Sequence, residues 1–505
     1  MRNYSVVITE PAAVAALKNI YQANGPGDLD WDFSTPDQVT GRDVSLKAQD
    51  GALIDLYLFV AGLKGVLKLQ EVKTLVSLYA NENDLSGIDL KNLPGLADLC
   101  LSENQISDLL LSGLTGLTSL NLYDNQISDL SPLAELTKLA ELNLEDNQIN
   151  DLSPLAGLTG LTSLNLYDNR ISDLSPLAGL TKLAELNLQD NQISDLSPLA
   201  GLTKLADLNL NENQIGDLYS LAGLTELTGL AIGRNLTSDL SPLAGLTKLT
   251  NLNLWKNSIN DLSPLAGLTE LTSLSIECNQ INDLSPLAGL TNLTFLHVDG
   301  NQISDLSPLA GLTKLTDLYL NNNWINDLSP LAGLTELTRL ELSENQISDL
   351  SPLAGLTKLT HLFVENNKII DLSPLTGLTK LTFLVVTGNR ISDLPPLAGL
   401  TELTYLYLDD NRISDLSPLA ELIKLETLFI GYNRISCLSP LAGLTDLRKL
   451  EARNNEIVDL KPLADLVNLL DVGLENCPVT DLSPLSRLLG QEIMFNGQRY
   501  RLLRT

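Results

Sequence analysis

The sequence predicts an α/β solenoid, in which short coils stack to form a parallel β-sheet on a concave side and short 3₁₀ turns on a convex side. One pattern, LxxLxLxxNxIxDLSPLAGLTx, recurs about every 22 residues. Aromatic residues make up only 4% of the chain, so its interior must be aliphatic. At 505 residues, the chain also exceeds the roughly 250–300 residues that a single compact core reaches. These features are typical of repeat architectures, in which each coil contacts only its neighbours.

An asparagine marks the period, recurring 18 times from Asn83 to Asn455 with a spacing of 22 residues, or 21 in two places. Extending the register by one step at each end gives 20 repeats over about residues 53–490. The LxxLxL segment places leucines on one side of a short strand, because side chains alternate with period two. We expect the asparagine to end the strand and to bond the backbone of adjacent turns through a buried amide.

Proline marks the opposite side of each coil. Sixteen of the 22 prolines occupy one position of the repeat, from Pro132 to Pro484, and most of them follow a serine. Serine followed by proline is a helix-start signal, in which serine caps and proline takes the first helical position. The SPLAGL segment is too short for an α-helix, so a single 3₁₀ turn is predicted.

A solenoid needs caps at both ends, and both are predicted. Residues 10–22 carry Val14, Leu17 and Ile20 at helical spacing, which predicts a cap helix. At the other end, Ile493–Tyr500 is predicted to form a hairpin around an Asn-Gly turn that covers the last strand edge. The predicted domains are an N-terminal cap, the repeat domain and a C-terminal cap, at residues 1–52, 53–490 and 491–505.

The repeat resembles the leucine-rich repeat family in its 22-residue class. It is most similar to bacterial internalin-type domains, whose repeats read almost as Leu337–Pro352 does here. This resemblance implies a horseshoe that binds rather than catalyses. Internalin-type domains bind host-cell surface proteins on the concave face, and the phosphatase-regulator type holds an enzyme there.

Composition excludes several partners. The net charge of −30 repels phosphate backbones and anionic lipid heads, so neither nucleic acid nor a membrane surface is expected to bind. No apolar stretch approaches the ~18 residues that membrane insertion needs. Residues 1–10 lack the apolar core of a signal peptide. A cytoplasmic monomer is predicted. The alternative is export by a signal-independent route, with internalin-like adhesion to a host surface.

The sequence offers little catalytic chemistry. It has no GxxxxGK phosphate loop and no GxSxG elbow. The two histidines, His297 and His361, lie about three repeats or ~14 Å apart, too far to share a metal. The four cysteines are widely separated, which predicts free thiols. We therefore predict no enzyme activity, catalytic residue, metal or cofactor.

One acidic segment partly resembles a calcium loop. Residues 28–32 match the first half of such a loop, but Phe33 stands where the loop needs glycine and Val39 where it needs glutamate. An acidic cap segment is the preferred interpretation.

The variable positions of the strand should face the concavity and carry function. In the first half of the repeats these positions include a row of asparagines, for which we predict a structural role through amides bonded to one another along the sheet. The row comprises Asn121, Asn143, Asn165, Asn187 and Asn209. Further on, Gly229, Ala231 and Gly233 remove bulk beside Trp255, which predicts a shallow pocket.

From Leu249 to Arg434 the variable positions become aromatic, whereas the aliphatic template positions hold no aromatic residue. Exposed clustered rings are enriched at interfaces. The predicted contact residues are Trp255, Phe295, His297, Tyr319, Trp324, His361, Phe363, Phe383, Val385, Tyr405, Tyr407, Phe429 and Tyr432. A basic row replaces the usual glutamine beside them, at Lys368, Arg390, Arg412 and Arg434.

These residues predict a binding site for a protein or peptide on the concave face of the C-terminal half. Two alternatives stay open at this point. Aromatic platforms with amide neighbours also suit glycans or other small ligands, and the rings could simply be tolerated in a structural role.

Overall fold

The computed structural model describes residues 5–8, 10–24, 39–42, 46–59, 62–111, 113–487, 492–495 and 498–501. The chain divides into two compact units, Met1–Asn257 (unit 1) and Ser258–Thr505 (unit 2). The acidic segment at residues 28–32 lies outside the described residues.

Unit 1 contains one α-helix, α1 (Pro11–Asn24), within its described part. Its strands are β1 Ser5–Ile8, β2 Val39–Arg42, β3 Leu46–Gln49, β4 Ala52–Tyr57, β5 Lys64–Gln70, β6 Ser77–Tyr79, β7 Asp84–Lys91, β8 Asp98–Cys100, β9 Ser119–Asn121, β10 Glu141–Asn143, β11 Ser163–Asn165, β12 Glu185–Asn187, β13 Asp207–Asn209, β14 Gly229–Ala231 and β15 Asn251–Asn253. Its 3₁₀ turns are Ser131–Leu133, Ser153–Leu155, Ser175–Leu177, Ser197–Gly201, Tyr219–Leu221 and Ser241–Leu243.

Unit 2 repeats the alternation of strand and turn. Its strands are β16 Ser273–Ser275, β17 Phe295–His297, β18 Asp317–Tyr319, β19 Arg339–Glu341, β20 His361–Phe363, β21 Phe383–Val385, β22 Tyr405–Tyr407, β23 Thr427–Phe429, β24 Lys449–Glu451, β25 Asp471–Gly473, β26 Glu492–Phe495 and β27 Gln498–Arg501. Its 3₁₀ turns are Ser263–Leu265, Ser285–Leu287, Ser307–Gly311, Ser329–Gly333, Ser351–Gly355, Ser373–Gly377, Pro395–Leu397, Ser417–Leu419, Ser439–Gly443, Lys461–Leu463 and Ser483–Arg487.

The repeat strands form a parallel sheet in each unit, so the predicted leucine-rich repeat solenoid is confirmed. Equivalent residues pair across neighbouring strands, as Leu164 pairs with Leu186 in unit 1 and Leu384 with Leu406 in unit 2. The middle residue of each three-residue strand, a leucine or in β25 Val472, points inward and is buried. A 22-residue period thus aligns every template position into a column that runs across the strands.

The recurring asparagine behaves as predicted, and Asn169 shows how. Its Oδ1 accepts the Ile149 N–H at 2.9 Å, and its Nδ2 donates to the carbonyl oxygens of Leu144 at 2.9 Å, Leu166 at 3.2 Å and Tyr167 at 3.1 Å. The amide therefore joins the backbone of its own repeat to that of the preceding one. Without it, buried backbone groups would lose their partners at a substantial cost.

The predicted 3₁₀ turns are present, but serine does not cap them. In the turn Ser263–Leu265 the capping group is Asp261, whose carboxylate accepts the Ser263 N–H and the Ser263 hydroxyl, each at 2.8 Å. These hydrogen bonds lower the pKa of Asp261. The aspartate of the DLSP motif is the better cap because a carboxylate can accept both donors at once.

The first repeats depart from the predicted 3₁₀ turns. There β5 and β7 pair in parallel as a separate two-stranded sheet. Neither segment contains the SPLAGL sequence, and both bury alternate apolar residues, such as Leu67 and Leu69 in β5. Period-two burial favours a strand over a turn.

Both ends carry the predicted elements. The helix α1 runs over residues 11–24, where 10–22 was predicted; it buries Val14, Leu17 and Ile20 and packs against β5. At the other end, β26 and β27 form an antiparallel hairpin. The three predicted domain boundaries stay predictions. Among the described residues, no helix is long and apolar enough to cross a membrane.

Candidate functional site

The strand face is the outward side of each sheet. It is formed by the first and third residues of each strand and by the residue two positions further on, such as Ser163, Asn165 and Tyr167 in one repeat. These side chains are half-buried, whereas the leucines between them are buried.

In unit 1 the strand face carries the predicted asparagine row, but its amides bond differently from the prediction. Each Oδ1 accepts the backbone N–H two residues further along its own chain, as Asn165 does from Tyr167 at 3.1 Å. The Nδ2 of Asn165 donates to Glu145 at 2.6 Å, and that of Asn209 to Gln189 at 3.0 Å. The role is structural, as predicted, because a local turn satisfies the amide before its neighbour in the row can.

The predicted pocket near Trp255 is filled. A Cβ atom on Gly233 would meet the indole ring of Trp255, and one on Gly229 would lie 2.5 Å from a carboxylate oxygen of Asp207. The glycines therefore make room for side chains of the neighbouring repeats, and the prediction of an open hollow was wrong.

In unit 2 the predicted aromatic residues other than Trp324 and Tyr432 lie on the strand face and contact one another. We call six of them the ring strip: His361, Phe363, Phe383, Tyr405, Tyr407 and Phe429. Phe383 lies at its centre, with its ring centroid 5.1 Å from that of Phe363, 5.1 Å from that of Tyr405 and 5.6 Å from that of Tyr407. The Tyr407 and Phe429 rings follow at 4.6 Å. Val385 lies among them but is only 6% exposed, so it supports the rings rather than presenting a contact surface.

Cations adjoin both ends of the ring strip, and the sequence analysis missed them. The Arg339 guanidinium lies 4.9 Å from the Phe363 ring centroid and 5.5 Å from that of Tyr319. The Lys449 ammonium lies 5.4 Å from the Phe429 centroid. Both residues stand first in their strands, the position that Phe383 occupies in β21. Because the first strand position lies on the strand face, the repeat register could have identified Arg339 and Lys449 as candidate contact residues.

Before the ring strip, Phe295, His297 and Tyr319 form a smaller cluster. The centroids of His297 and Tyr319 are 4.9 Å apart, and those of Phe295 and Tyr319 are 5.3 Å apart. Arg339 joins this cluster to the ring strip through its contacts with Tyr319 and Phe363. The rings of six strands, with Arg339 of β19 between them, therefore form one line from β17 to β23.

A polar network runs beside this cluster. The Nε2 atom of His297 lies 3.0 Å from Asp299 Oδ2. Asn321 donates to Asp299 at 2.9 Å and to Glu341 at 2.7 Å. Glu341 in turn accepts from Arg339 at 2.6 and 2.8 Å. These contacts hold Asp299, Asn321 and Glu341 in place beside the rings.

Burial and charge shift several pKa values here. Burial by itself would lower the pKa of His297, but its hydrogen bond to Asp299 and the negative charges of Glu277 and Asp299 outweigh burial and raise it. Burial, assisted by the charge of Arg339, lowers the pKa of His361. Burial raises the pKa of Asp409 to about 6, although Asp409 accepts the Gly431 N–H at 2.8 Å.

The remaining predicted contact residues lie beyond the strand ends. Trp324 and Tyr432 are 55% and 50% exposed, and Tyr432 contacts the guanidinium of Arg453. The four basic residues are exposed and stand at one position in four consecutive repeats; we call them the cation row: Lys368, Arg390, Arg412 and Arg434. Trp255 lies in unit 1, outside this arrangement.

Sequence reasoning also missed a ring pair in unit 1. The rings of Tyr57 and Tyr79 stack at 5.0 Å, and the Tyr79 hydroxyl donates to Asp98. This hydrogen bond, with burial, raises the pKa of Tyr79 to about 12. Tyr79 stands third in β6 and pairs in register with Tyr57, the last residue of β4, so the repeat register could have revealed both had it been extended to the first, degenerate repeats.

The described part of the chain contains no group of three or more His, Cys, Asp or Glu side chains that could hold a metal ion. Cys100, Cys437 and Cys477 are free thiols.

A family model for leucine-rich repeats matches residues 115–157, 159–201, 247–289, 291–333, 335–377, 379–421 and 401–443. Together these segments span more than half of the chain. The chain belongs to the leucine-rich repeat family. No curated protein sequence matches it.

Two of the similar solved structures come from Listeria monocytogenes. An internalin, InlF from Listeria monocytogenes, is 38% identical with a TM-score of 0.54, over 63% of this chain and 87% of that one. The functional domain of InlJ from the same species is 27% identical with a TM-score of 0.59, over 66% and 72%. The protein is thus an internalin-like member of the family, as the repeat sequence predicted.

A third solved structure shares the fold alone. The Arabidopsis receptor kinase HAESA, solved with the peptide hormone IDA and the co-receptor SERK1, is 20% identical with a TM-score of 0.68, over 95% of this chain and 88% of that one. Leucine-rich repeat scaffolds are typical of protein–protein interaction.

Proposed function

We propose that this protein is a non-enzymatic scaffold that binds a protein or peptide on the strand face of unit 2. The observation that carries the proposal is the line of rings across β17–β23. Seven strands at ~4.8 Å per step give a strip of roughly 30 Å. Such a strip fits an extended segment of a polypeptide, whereas a glycan site needs only two or three rings around one hollow.

The rings are placed for contact rather than for core packing. Tyr405 is 37% exposed, and the other rings of the strip are half-buried, while the leucines between them are buried. Ring–ring contacts hold them in fixed orientations, which lowers the entropy lost when a partner binds. Rigid, partly exposed aromatic side chains are the residues that most often anchor an interface.

The test is panning of a phage-displayed library of random peptides of about 12 residues, a length that spans the strip. We expect the full chain to enrich a set of peptides, and the Phe383→Ala/Tyr407→Ala variant to bind those peptides about a thousandfold more weakly, since each ring can anchor ~2 kcal/mol. Equal binding by this variant would refute the proposal.

The matched control is Ser163→Ala/Asn187→Ala, which changes the first residue of one strand and the third of the next in unit 1, as the test variant does in unit 2. It should bind the selected peptides like the unaltered chain. Circular dichroism checks that both variants are folded, and the more exposed Tyr405→Ala provides a milder second test.

A further inference from the structure

The cation row is unusual in a chain with a net charge of −30. Three exposed lysines of other repeat positions pair with an acidic residue of the preceding repeat, as Lys358 does with Glu336 at 2.6 Å and Lys424 with Glu402 at 2.7 Å. Within the described residues, by contrast, no carboxylate oxygen lies within 4.0 Å of a nitrogen of the cation row.

The neighbouring carboxylate of Asp409 makes its contacts away from the row. Asp409 hydrogen-bonds the backbone of Gly431, and the cation that favours its charged form is Arg453 rather than a member of the row. Lys368 contacts only the amide oxygen of Gln346, at 3.4 Å. Like charges one strand apart repel, so a negatively charged partner would relieve the repulsion within the row.

The cation row is aligned with the ring strip. Each of the four repeats from β20 to β23 supplies one face residue at the third strand position and one cation five residues later, for example Tyr407 and Arg412 or Phe429 and Arg434. Two parallel stripes result, one apolar and one positive. A partner that satisfies both has apolar groups along one edge and carboxylates along the other.

We infer that the partner of this face is an acidic peptide segment, bound in extended form along the ring strip with its Asp and Glu side chains on the cation row. This inference rests on the proposed function, since the rings anchor the same segment. In an extended chain alternate side chains point to opposite edges, so alternating apolar and acidic residues match the two stripes. The four repeats of the row span ~14 Å, which corresponds to about four or five residues of the peptide.

The peptides selected in the panning experiment test this inference. We expect the pool enriched by the unaltered chain to be rich in Asp and Glu as well as in apolar residues, and the pool enriched by an Arg390→Gln/Arg412→Gln variant to lose the acidic bias. A pool that depends on the rings but shows no excess of Asp and Glu would overturn the inference and leave the proposed function standing. No ring-dependent enrichment would instead overturn the proposed function.

Affinity measurements with one selected acidic peptide sharpen the result. Fluorescence polarisation should show binding about tenfold weaker to Arg390→Gln/Arg412→Gln, and weaker to the unaltered chain when salt is raised from about 0.1 M to about 0.5 M. Arg170→Gln is the matched control, because Arg170 is exposed and occupies the same repeat position in unit 1. An equal loss with the Arg170 variant, or no loss with the double variant, would overturn the inference.

Discussion

In unit 1 the third residue of five consecutive strands is asparagine, whereas in unit 2 the same position holds Tyr319, Phe363, Tyr407 and Phe429. The backbone around these positions is the same, since equivalent residues pair in register in both units. The buried leucines are also the same. The comparison shows that the buried leucines determine the conformation of each repeat, whereas the residue types on the strand face can differ between repeats without altering it.

The physical reason is the alternation of side chains along a strand. Inward residues pack against an aliphatic interior of nearly native density, so their size is constrained. Outward residues meet only their neighbours on the face and solvent. The asparagine side chains form hydrogen bonds within their own turns, as Asn165 does with the Tyr167 N–H. The aromatic side chains instead pack against the rings of neighbouring strands, as Phe383 does against Phe363.

The largest expected effect tests whether the two interiors are equivalent. Leu164→Ala and Leu318→Ala each remove a fully buried strand leucine, at 1% and 0% exposure. Each should lower the free energy of unfolding by about 2–5 kcal/mol, through lost burial and the cavity left behind. Chemical denaturation measures both, and a neutral result at either position would mean that its register has been misassigned.

A smaller effect concerns the half-buried carboxylate of Asp409, which follows Tyr407 on the strand face of unit 2. The folded protein raises the pKa of Asp409 from 3.8 to about 6, so the folded state holds this proton more tightly than the unfolded chain does. The associated stabilisation is complete below pH 3.8 and is lost as the pH rises through about 6. Asp409→Asn keeps an oxygen that can accept the Gly431 N–H but removes the charge.

We therefore expect Asp409→Asn to be more stable than the unaltered chain at about pH 8, by roughly 1 kcal/mol after allowance for partial exposure. The difference should vanish near pH 4. Thermal melting across this pH range measures it. A constant difference at all pH values would show that the charge of Asp409 is not responsible.

The smallest expected effect separates binding from folding. Arg412 and Arg170 occupy the same repeat position in the two units and are both exposed. Replacing either with glutamine, the residue found most often at this position of the repeat, should change the free energy of unfolding by less than about 0.5 kcal/mol. Matching melting curves would confirm that the weaker peptide binding expected of the unit 2 variant reflects a lost contact.

Much of the fold follows from the repeat itself. The spacing of asparagines and prolines predicted the strands, the 3₁₀ turns and the amide bonds of residues such as Asn169, because each depends on a few neighbouring residues. The strands β5 and β7 were missed because their segments lack the repeat pattern from which the turns were predicted.

The candidate site was only partly predictable. Period two placed Phe383 and Tyr407 on the strand face, but it gave no information on which rings would stack. Arg339 was missed because a single arginine in a variable column resembles a solvated surface residue until Tyr319 and Phe363 are seen on either side of it. The pocket near Trp255 was wrongly predicted because a small residue leaves space that a larger neighbour can fill.

The sequence by itself determined the family, the coil and the side of the sheet on which each residue lies, because those depend on a period that every repeat enforces. Only the tertiary structure decided which side chains of successive repeats meet. Residues 22 positions apart are brought within one strand spacing, where the sizes and charges of both partners select one packing. That selection made a line of rings joined through Arg339 and left four neighbouring cations without acidic partners.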